Sequence, residues 1–367
     1  MAQKDMGIYE AQEVFFSSWF MWDADFFYVI DGIRRDGNLP FPGGRLTMSV
    51  VFINLVLKLV KDFPVPRKRI GTFISHMGGL LLLLGGFITA YFSTEGGMWI
   101  PEGGKSGQFT DFDKVELAFI DESPEDYNQV TAFSGGYMKK GAVIEHEMFP
   151  GKITVEDFAR HAEFVSRTGS VPSDYIGPAA RFEVRRAKLE KEANHNRTAM
   201  MLRFEGFGAE DGVYLVFKFS NIEQTIDVGG KEYKLEIRQK HYDLPFEIAL
   251  TDFKMEEHPG TRVARSYASD VVVLSEGTER KVEISMNKPL RKGPYTFYQS
   301  SFDNRSPVEA TFLQVVENAG RNFPYISSII MCIGLMVHMF LQIPRMISRK
   351  RIEKKPNTVL VEKEVVS

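Results

Sequence analysis

Two long stretches of the chain are almost entirely apolar, and a third is shorter. Ile70–Phe92 contains no formally charged side chain. As a helix it is long enough to cross a bilayer core of roughly 30 Å. Tyr325–Ile347 is apolar apart from Arg345, and Leu46–Val60 carries only Lys58, whose ammonium can reach the interface. This pattern predicts three transmembrane helices.

The N-terminal region mixes aromatic and acidic residues. Val14–Ile30 is rich in Phe and Trp but carries Asp23 and Asp25 near its centre, which argues against a spanning helix. Tryptophan and tyrosine favour the interface between membrane and water. We therefore expect residues 1–45 to form an interfacial segment whose amphipathic helix lies on the membrane.

Residues 93–324 are more polar and are numerous enough to form a domain with its own core. Short runs alternate apolar and polar residues with Gly and Pro between them, which is typical of strands. The runs are Val213–Phe219, Tyr233–Ile237, Phe246–Leu250, Val271–Leu274, Val282–Ile284 and Tyr295–Tyr298. The charged stretches Val155–Arg167 and Arg181–Asn194 are interpreted as helices. The block is thus predicted to be a β-rich domain with minor helical insertions.

Basic residues predict the orientation of the spans. The loop 61–69 and the tail 348–367 are both rich in Lys and Arg, and such segments stay in the cytoplasm. The predicted fold class is an α + β membrane protein of the cytoplasmic (inner) membrane. Its segments are 1–45 at the interface, 46–92 with two spans, 93–324 on the periplasmic or extracytoplasmic side, 325–347 as the last span and 348–367 as a cytoplasmic tail.

Composition narrows the possible functions. The net charge of −3 gives no general attraction to nucleic acid, so nucleic acid is not an expected partner. The single cysteine, Cys332, excludes a disulfide within the chain and a cysteine-based metal cluster. Without a CxxCH motif, the chain is not itself a c-type cytochrome.

Two of the predicted spans contain one histidine each, His76 and His338. An ionisable residue inside a membrane helix is costly and indicates a functional site. Each histidine lies seven residues from a basic residue at the cytoplasmic end of its span, Arg69 or Arg345, which corresponds to about 10 Å of helix rise. Two imidazoles at matched depth could bind a haem iron from both sides.

Glycines accompany both histidines. Gly79 follows His76 by three residues and Gly334 precedes His338 by four, so each shares a helix face with its histidine. A flat porphyrin needs a helix face without side chains, but glycine also promotes ordinary helix packing. Three interpretations stay open: haem ligation by both histidines, histidines that only hydrogen-bond to neighbouring helices, and ligation with a different partner chain.

Several motifs resemble the ResB (CcsB) family of System II cytochrome c biogenesis. They are HMGGLLLLLGG from His76, EGGMWIPEG from Glu95, LPFEIALTDFKMEEHPGT from Leu244, YASDVVV from Tyr267 and MNKPLRKGPYTFYQSSFD from Met286. The terminal helix with GLMVH is also similar. Together these motifs extend over roughly residues 40–347, and their order and spacing are specific in combination.

The resemblance implies a function, a cofactor and partners. A ResB-like component works with a ResC (CcsA)-like membrane protein to move haem b across the bilayer and present it to apocytochrome c. It implies no catalysis by this chain alone, but membership of a cytochrome c haem-lyase complex. It also implies that a histidine at the position of His76 holds haem with a ligand from the partner half. The alternatives are a haem-b electron-transfer subunit, with haem held permanently rather than in transit, and a structural membrane anchor.

Overall fold

The computed structural model describes residues 11–21, 40–124, 127–190, 195–219, 222–261, 264–303 and 307–353. The chain divides into two units. The β unit comprises Met1–Glu13 and Thr94–Glu317, and the helical unit comprises Val14–Ser93 and Asn318–Ser367.

Three long helices form most of the helical unit: α1 (Gly44–Lys61), α2 (Ile70–Phe92) and α4 (Phe323–Glu353). A 3₁₀ turn, Arg67–Arg69, leads into α2. Two segments of the described chain are long and apolar enough to cross a membrane, Arg67–Phe92 and Phe323–Ile343. The helix α1 forms where a first span is predicted, but it is not among them because its length includes three basic residues, Arg45, Lys58 and Lys61.

Glycine allows α2 and α4 to pack closely. A Cβ atom added at Gly71 would lie 2.6 Å from the Cα of His338, and one added at Gly78 would lie 2.6 Å from the Cγ of Met331. Gly85 is the third member of this row, and its added Cβ would lie 2.7 Å from the Cγ of Phe323. The seven-residue spacing puts all three on one helix face, where the backbones approach because side chains are missing.

The amphipathic helix predicted over Val14–Ile30 does not form in its described part. Gln12–Phe16 is a single π-helical turn, and Phe20–Met21 is a short strand (β1) that pairs with Phe41–Pro42 (β2). The Ser18 hydroxyl donates to the carbonyl of Val14, a local bond that competes with a continuing helix. Residues 22–39 lie outside the described residues.

The β unit is built from seventeen strands within the described residues. Their bounds are β3 Thr94–Pro101, β4 Lys105–Asp121, β5 Gln129–Ser134, β6 Val143–Ile144, β7 Lys152–Ala159, β8 Ala162–Ser166, β9 Tyr175–Ile176, β10 Phe182–Arg186, β11 Ala199–Glu205, β12 Gly212–Phe217, β13 Gln224–Val228, β14 Lys231–Glu257, β15 Ala264–Ser275, β16 Thr278–Ser285, β17 Leu290–Lys292, β18 Tyr295–Asp303 and β19 Ala310–Glu317. One short helix, α3, covers Pro178–Arg181.

Most strands belong to two sheets. The larger has the order β16-β15-β14-β4-β3-β19-β18-β17, with β13 also paired to β14 and β5 to β4. A five-stranded sheet has the order β6-β7-β11-β12-β9, and β8 pairs with β10 separately. All six predicted strands form. Five lie within β14, β15, β16 or β18, and Val213–Phe219 forms β12 as far as Phe217, with Lys218 and Phe219 in the turn that follows.

The strand β14 contributes to two hydrophobic cores. Near its start, Leu235 and Ile237 are buried against the five-stranded sheet. Further along, Phe246 and Ile248 belong to a second core, which also contains Phe297. One continuous strand therefore connects these two of the three hydrophobic cores that the described residues of the β unit form.

Both helical insertions predicted in this unit are wrong. Val155–Arg167 contains the end of β7 and all of β8, and Val155 is fully buried by pairing with β11. Arg181–Asn194 starts at the last residue of α3 and continues as β10, which pairs with β8, while residues 191–194 lie outside the described residues. In both cases pairing between strands that are distant in sequence overrides the helix-forming composition.

Candidate functional site

His338 lies on the face of α4 that meets α2. Its backbone contacts Gly71, and its ring Nδ1 is 3.0 Å from the hydroxyl oxygen of Thr72. This hydrogen bond involves Nδ1 and orients the imidazole. The other ring nitrogen, Nε2, does not take part in it. A histidine that binds a metal is commonly oriented by such a bond at its other nitrogen.

His76 differs from His338 in its hydrogen bonding. Its Nδ1 atom is buried and has no hydrogen-bond partner among the described residues. A buried polar atom without a partner costs roughly 1–3 kcal/mol.

His76 of α2 and His338 of α4 both lie along one flank of α2. Thr72 and His76 are four residues apart and therefore share a helix face. Because the His338 ring binds Thr72, it lies on the same flank as His76, about one helical turn away. The sequence predicts that the two histidines lie at the same depth. The contacts instead place His338 level with Gly71, so the two histidines are offset along the helix axis by roughly 5–7 Å.

The two glycines of the predicted site face different neighbours. A Cβ at Gly334 would lie 2.5 Å from the amide nitrogen of Ser75, so the space beside Gly334 is filled by α2. A Cβ at Gly79 would lie 3.6 Å from Leu55 of α1, which is ordinary contact. The approach at Gly334 leaves no width for a porphyrin between α2 and α4 at that level. Thr72, His76 and Gly79 share one flank of α2, and Leu55 of α1 lies beside this flank at Gly79.

A carboxylate near His76 was missed by sequence analysis. Asp62 follows α1, and its side chain is only 8% exposed. It forms an ion pair with Lys58, and Arg69 Nη1 lies 3.4 Å from its Oδ1. The hydrogen bond from Lys58 lowers the pKa of Asp62 below its ordinary value; desolvation opposes this, and the charges of Lys58, Arg69 and protonated His76 add to it.

Asp62 is therefore held by Lys58 and Arg69, and its interaction with His76 is the weakest of those that lower its pKa. The loop sequence KDFPVP gave no periodic signal that would link Asp62 to a histidine fourteen positions later. Within the described ranges, no cluster of three or more His, Cys, Asp or Glu side chains could hold a free metal ion.

The chain is similar in sequence to one protein family and to one relative. Residues 218–311 match the model of the ResB-like family. The chain is also 23% identical over 271 residues to Protein NrfI of Wolinella succinogenes, which covers 72% of this chain and 26% of that protein. The chain thus spans about a quarter of the length of this relative. The predicted resemblance to the ResB family is confirmed.

The family match lies within the β unit. It begins directly after β12 and runs into β19, so it includes β14 and part of each core that this strand joins. His76 and His338 lie outside the matched residues, and their assignment rests on the helical contacts alone.

Proposed function

We propose that this chain is the ResB-like component of a membrane complex that moves haem across the membrane and presents it for attachment to apocytochrome c. The family match over residues 218–311 supports a role in cytochrome c biogenesis. The two apolar helices support a location in the cytoplasmic membrane. The proposed complex includes a ResC/CcsA-like membrane protein.

The observation that carries the haem assignment is the unpartnered Nδ1 of His76 in the apolar helix α2. A helix that merely anchors a domain gains nothing from an imidazole with a buried, unsatisfied nitrogen. Together with the oriented ring of His338, this atom defines a polar flank on an otherwise apolar helix. The residues present are compatible with haem b on that flank.

In this proposal, haem iron supplies the redox-active centre that is delivered, and the chain supplies imidazoles and an apolar surface. Thr72 accepts or donates at His338 Nδ1 and so fixes which ring nitrogen faces outward. His76 would hold haem on this flank, together with His338 or a residue of a partner chain.

The β unit would then serve as the extracytoplasmic platform that receives apocytochrome c. The chain would catalyse nothing alone, because thioether formation would need the partner half of a haem-lyase complex. The orientation with 93–324 outside and the basic segments inside follows the positive-inside rule.

The test uses the full chain co-purified with its membrane partner in lipid nanodiscs. Haem content is measured by pyridine haemochrome, and the spin state of the iron by visible absorption. His76→Ala and His338→Ala should each lower the haem content or convert a low-spin spectrum to a high-spin one. Thr72→Val keeps the side-chain shape and should shift the spectrum while retaining haem.

The control is His258→Ala, which removes an exposed histidine of the β unit. Unchanged haem content and spectrum in both His76→Ala and His338→Ala would reject the proposed site and leave α2 and α4 as an anchor. Haem that stays stoichiometric in the presence of excess apocytochrome c would instead favour the electron-transfer function.

A further inference from the structure

The connection between α1 and α2 concentrates basic side chains at one end of these helices. From Lys58 to Arg69 the chain carries five basic residues and one acidic residue, Asp62. The last three basic residues form the 3₁₀ turn Arg67–Arg69, which opens a segment long and apolar enough to cross a membrane. In a bilayer, these side chains would lie where that segment leaves the apolar layer.

Asp62 connects the two ends of this loop. It forms an ion pair with Lys58, which lies one helical turn earlier, and Arg69 Nη1 lies 3.4 Å from its Oδ1. The second contact joins the end of α1 to the residue that precedes α2. It therefore brings two neighbouring lysines, Lys61 and Lys68, to the same part of the surface.

Three cations of the loop have no acidic partner. Lys61, Arg67 and Lys68 are exposed, and within the described part of the chain no ion pair involves any of them. No side chain caps α2, so the free amide groups of its first turn add a partial positive charge beside these cations. The surface formed by these three side chains, here named the basic loop, is therefore positively charged.

Apolar side chains border the basic loop. Phe63 is 74% exposed and Val60 is 67% exposed, and both lie within two residues of Lys61 in the chain. Exposed phenylalanine beside lysine and arginine is typical of segments that lie in the membrane interface, where the ring meets acyl chains and the cations meet headgroups. The loop thus matches the chemistry of both parts of a phospholipid.

We propose that the basic loop binds the phosphate group of an anionic phospholipid in the adjoining leaflet. Lys61, Arg67 and Lys68 would contact the phosphate, and the ring of Phe63 would lie against the first acyl carbons. A zwitterionic lipid carries the same phosphate but also a cation, which the basic loop repels. The inference rests on the membrane location in the proposed function and on none of its haem chemistry.

The test measures which lipids the full chain retains. The chain in non-ionic detergent is incubated with an equimolar mixture of phosphatidylglycerol and phosphatidylcholine that have the same acyl chains, washed on an affinity resin and extracted for mass spectrometry. One basic side chain near a membrane surface contributes about a fivefold preference for an anionic lipid. Phosphatidylglycerol should therefore be enriched at least about tenfold over phosphatidylcholine. Equal retention of the two lipids would overturn the proposal.

Two variants with the same change in net charge locate the site. The loop variant combines Lys61→Gln, Arg67→Gln and Lys68→Gln. The control variant changes three exposed lysines of the β unit and combines Lys139→Gln, Lys140→Gln and Lys281→Gln. The enrichment should disappear in the loop variant and persist in the control. An equal loss in both variants would show that net charge selects the lipid and would reject the site.

Single variants separate the two parts of the site. Arg67→Gln should lower the enrichment several-fold, and an unchanged ratio would reject the site even if the loop variant fails to accumulate. Phe63→Ser keeps every charge, so it should lower the total lipid retained and leave the ratio of the two lipids unchanged. A ratio that falls in Phe63→Ser as far as in the loop variant would contradict selection by charge.

A last arm distinguishes a lipid from a free phosphate ion. The resin is washed with inorganic phosphate or with chloride at the same ionic strength, and phosphatidylglycerol should be retained equally in both. Displacement by phosphate alone would assign a soluble ligand and overturn the proposal. Because His76→Ala leaves the cations of the basic loop in place, haem content in that variant and lipid selectivity are independent results.

Discussion

The β unit and the helical unit differ in the contacts that stabilise each of them internally. In the β unit, large side chains such as Phe119 and Phe297 are fully buried and exclude water from the two cores. In the helical unit, Leu57 and Phe340 are 61% and 74% exposed, and α2 meets α4 where Gly71 and Gly78 have no side chain. The β unit is stabilised by the burial of large side chains, whereas the packing of α2 against α4 depends on the missing side chains of these glycines.

This contrast has a consequence for function. Hydrophobic burial cannot drive two apolar helices together when lipid surrounds them, so close backbone contact must do so. That contact uses the space beside Gly334 and moves the available surface to the flank of Thr72 and His76.

The largest expected effect is in the β unit, for Phe297→Ala. Phe297 is fully buried in the second core, and removing its ring should lower the free energy of unfolding by about 4 kcal/mol. Urea unfolding in mild detergent, followed by circular dichroism in the strand region, measures this loss. Tyr298→Ala alters the next residue, which is 40% exposed, and should cost much less. Similar losses in the two variants would contradict the assignment of the core.

A smaller effect is expected in the helical unit, for Gly71→Val. The added side chain would clash with the backbone of His338, and overpacking of this kind costs about 1–3 kcal/mol. Thermal unfolding, followed by circular dichroism in the helical region, should show a lower midpoint. Gly86→Val is the matched control, because nothing lies within 4 Å of a Cβ at Gly86. Equal midpoints for the two variants would refute packing through Gly71.

The smallest effect concerns an ion pair and depends on pH. Burial raises the pKa of Glu116, but hydrogen bonds and charge from His241 and Arg238 outweigh it, so the pKa lies below its ordinary 4.5. A lowered pKa stabilises the fold above pH 4.5 and loses that contribution as the pH falls through the folded-state pKa. Glu116→Gln should therefore cost about 2 kcal/mol near pH 6.

Urea unfolding at pH 6 and at pH 3.5 tests this expectation. The difference between the unmodified chain and Glu116→Gln should shrink at the lower pH. Lys281→Gln, at an exposed position without such a partnership, supplies the baseline. A difference that stays constant between the two pH values would show that the carboxylate contributes only its shape.

The sequence predicted those parts of the fold that depend on local patterns. The bounds of α2 agree at both ends: the charged Arg69 precedes the helix, and the polar pair Ser93–Thr94 follows its last apolar residue. Val155–Arg167 was mistaken for a helix because its apolar residues recur at helical spacing. Its strand conformation depends on β11, which lies more than thirty residues later.

Of the residues in the candidate site, only the two histidines could be predicted from the sequence. Their rarity in apolar helices marked His76 and His338, but Thr72 and Asp62 become relevant only through the packing of α2 with α4 and the loop after α1. Contacts between distant segments leave no periodic trace in the sequence.

Because the long strand β14 contributes to both of the cores that it joins, the faces on which its side chains lie in the two cores depend on each other. Side chains alternate between faces along a strand, so inserting a single residue in its middle reverses the facing of everything on one side of the insertion. If Leu235 and Ile237 kept their places, Phe246 and Ile248 would turn outward. The tight turn at Gly229–Gly230, just before the strand, is where extra length can be absorbed without that reversal.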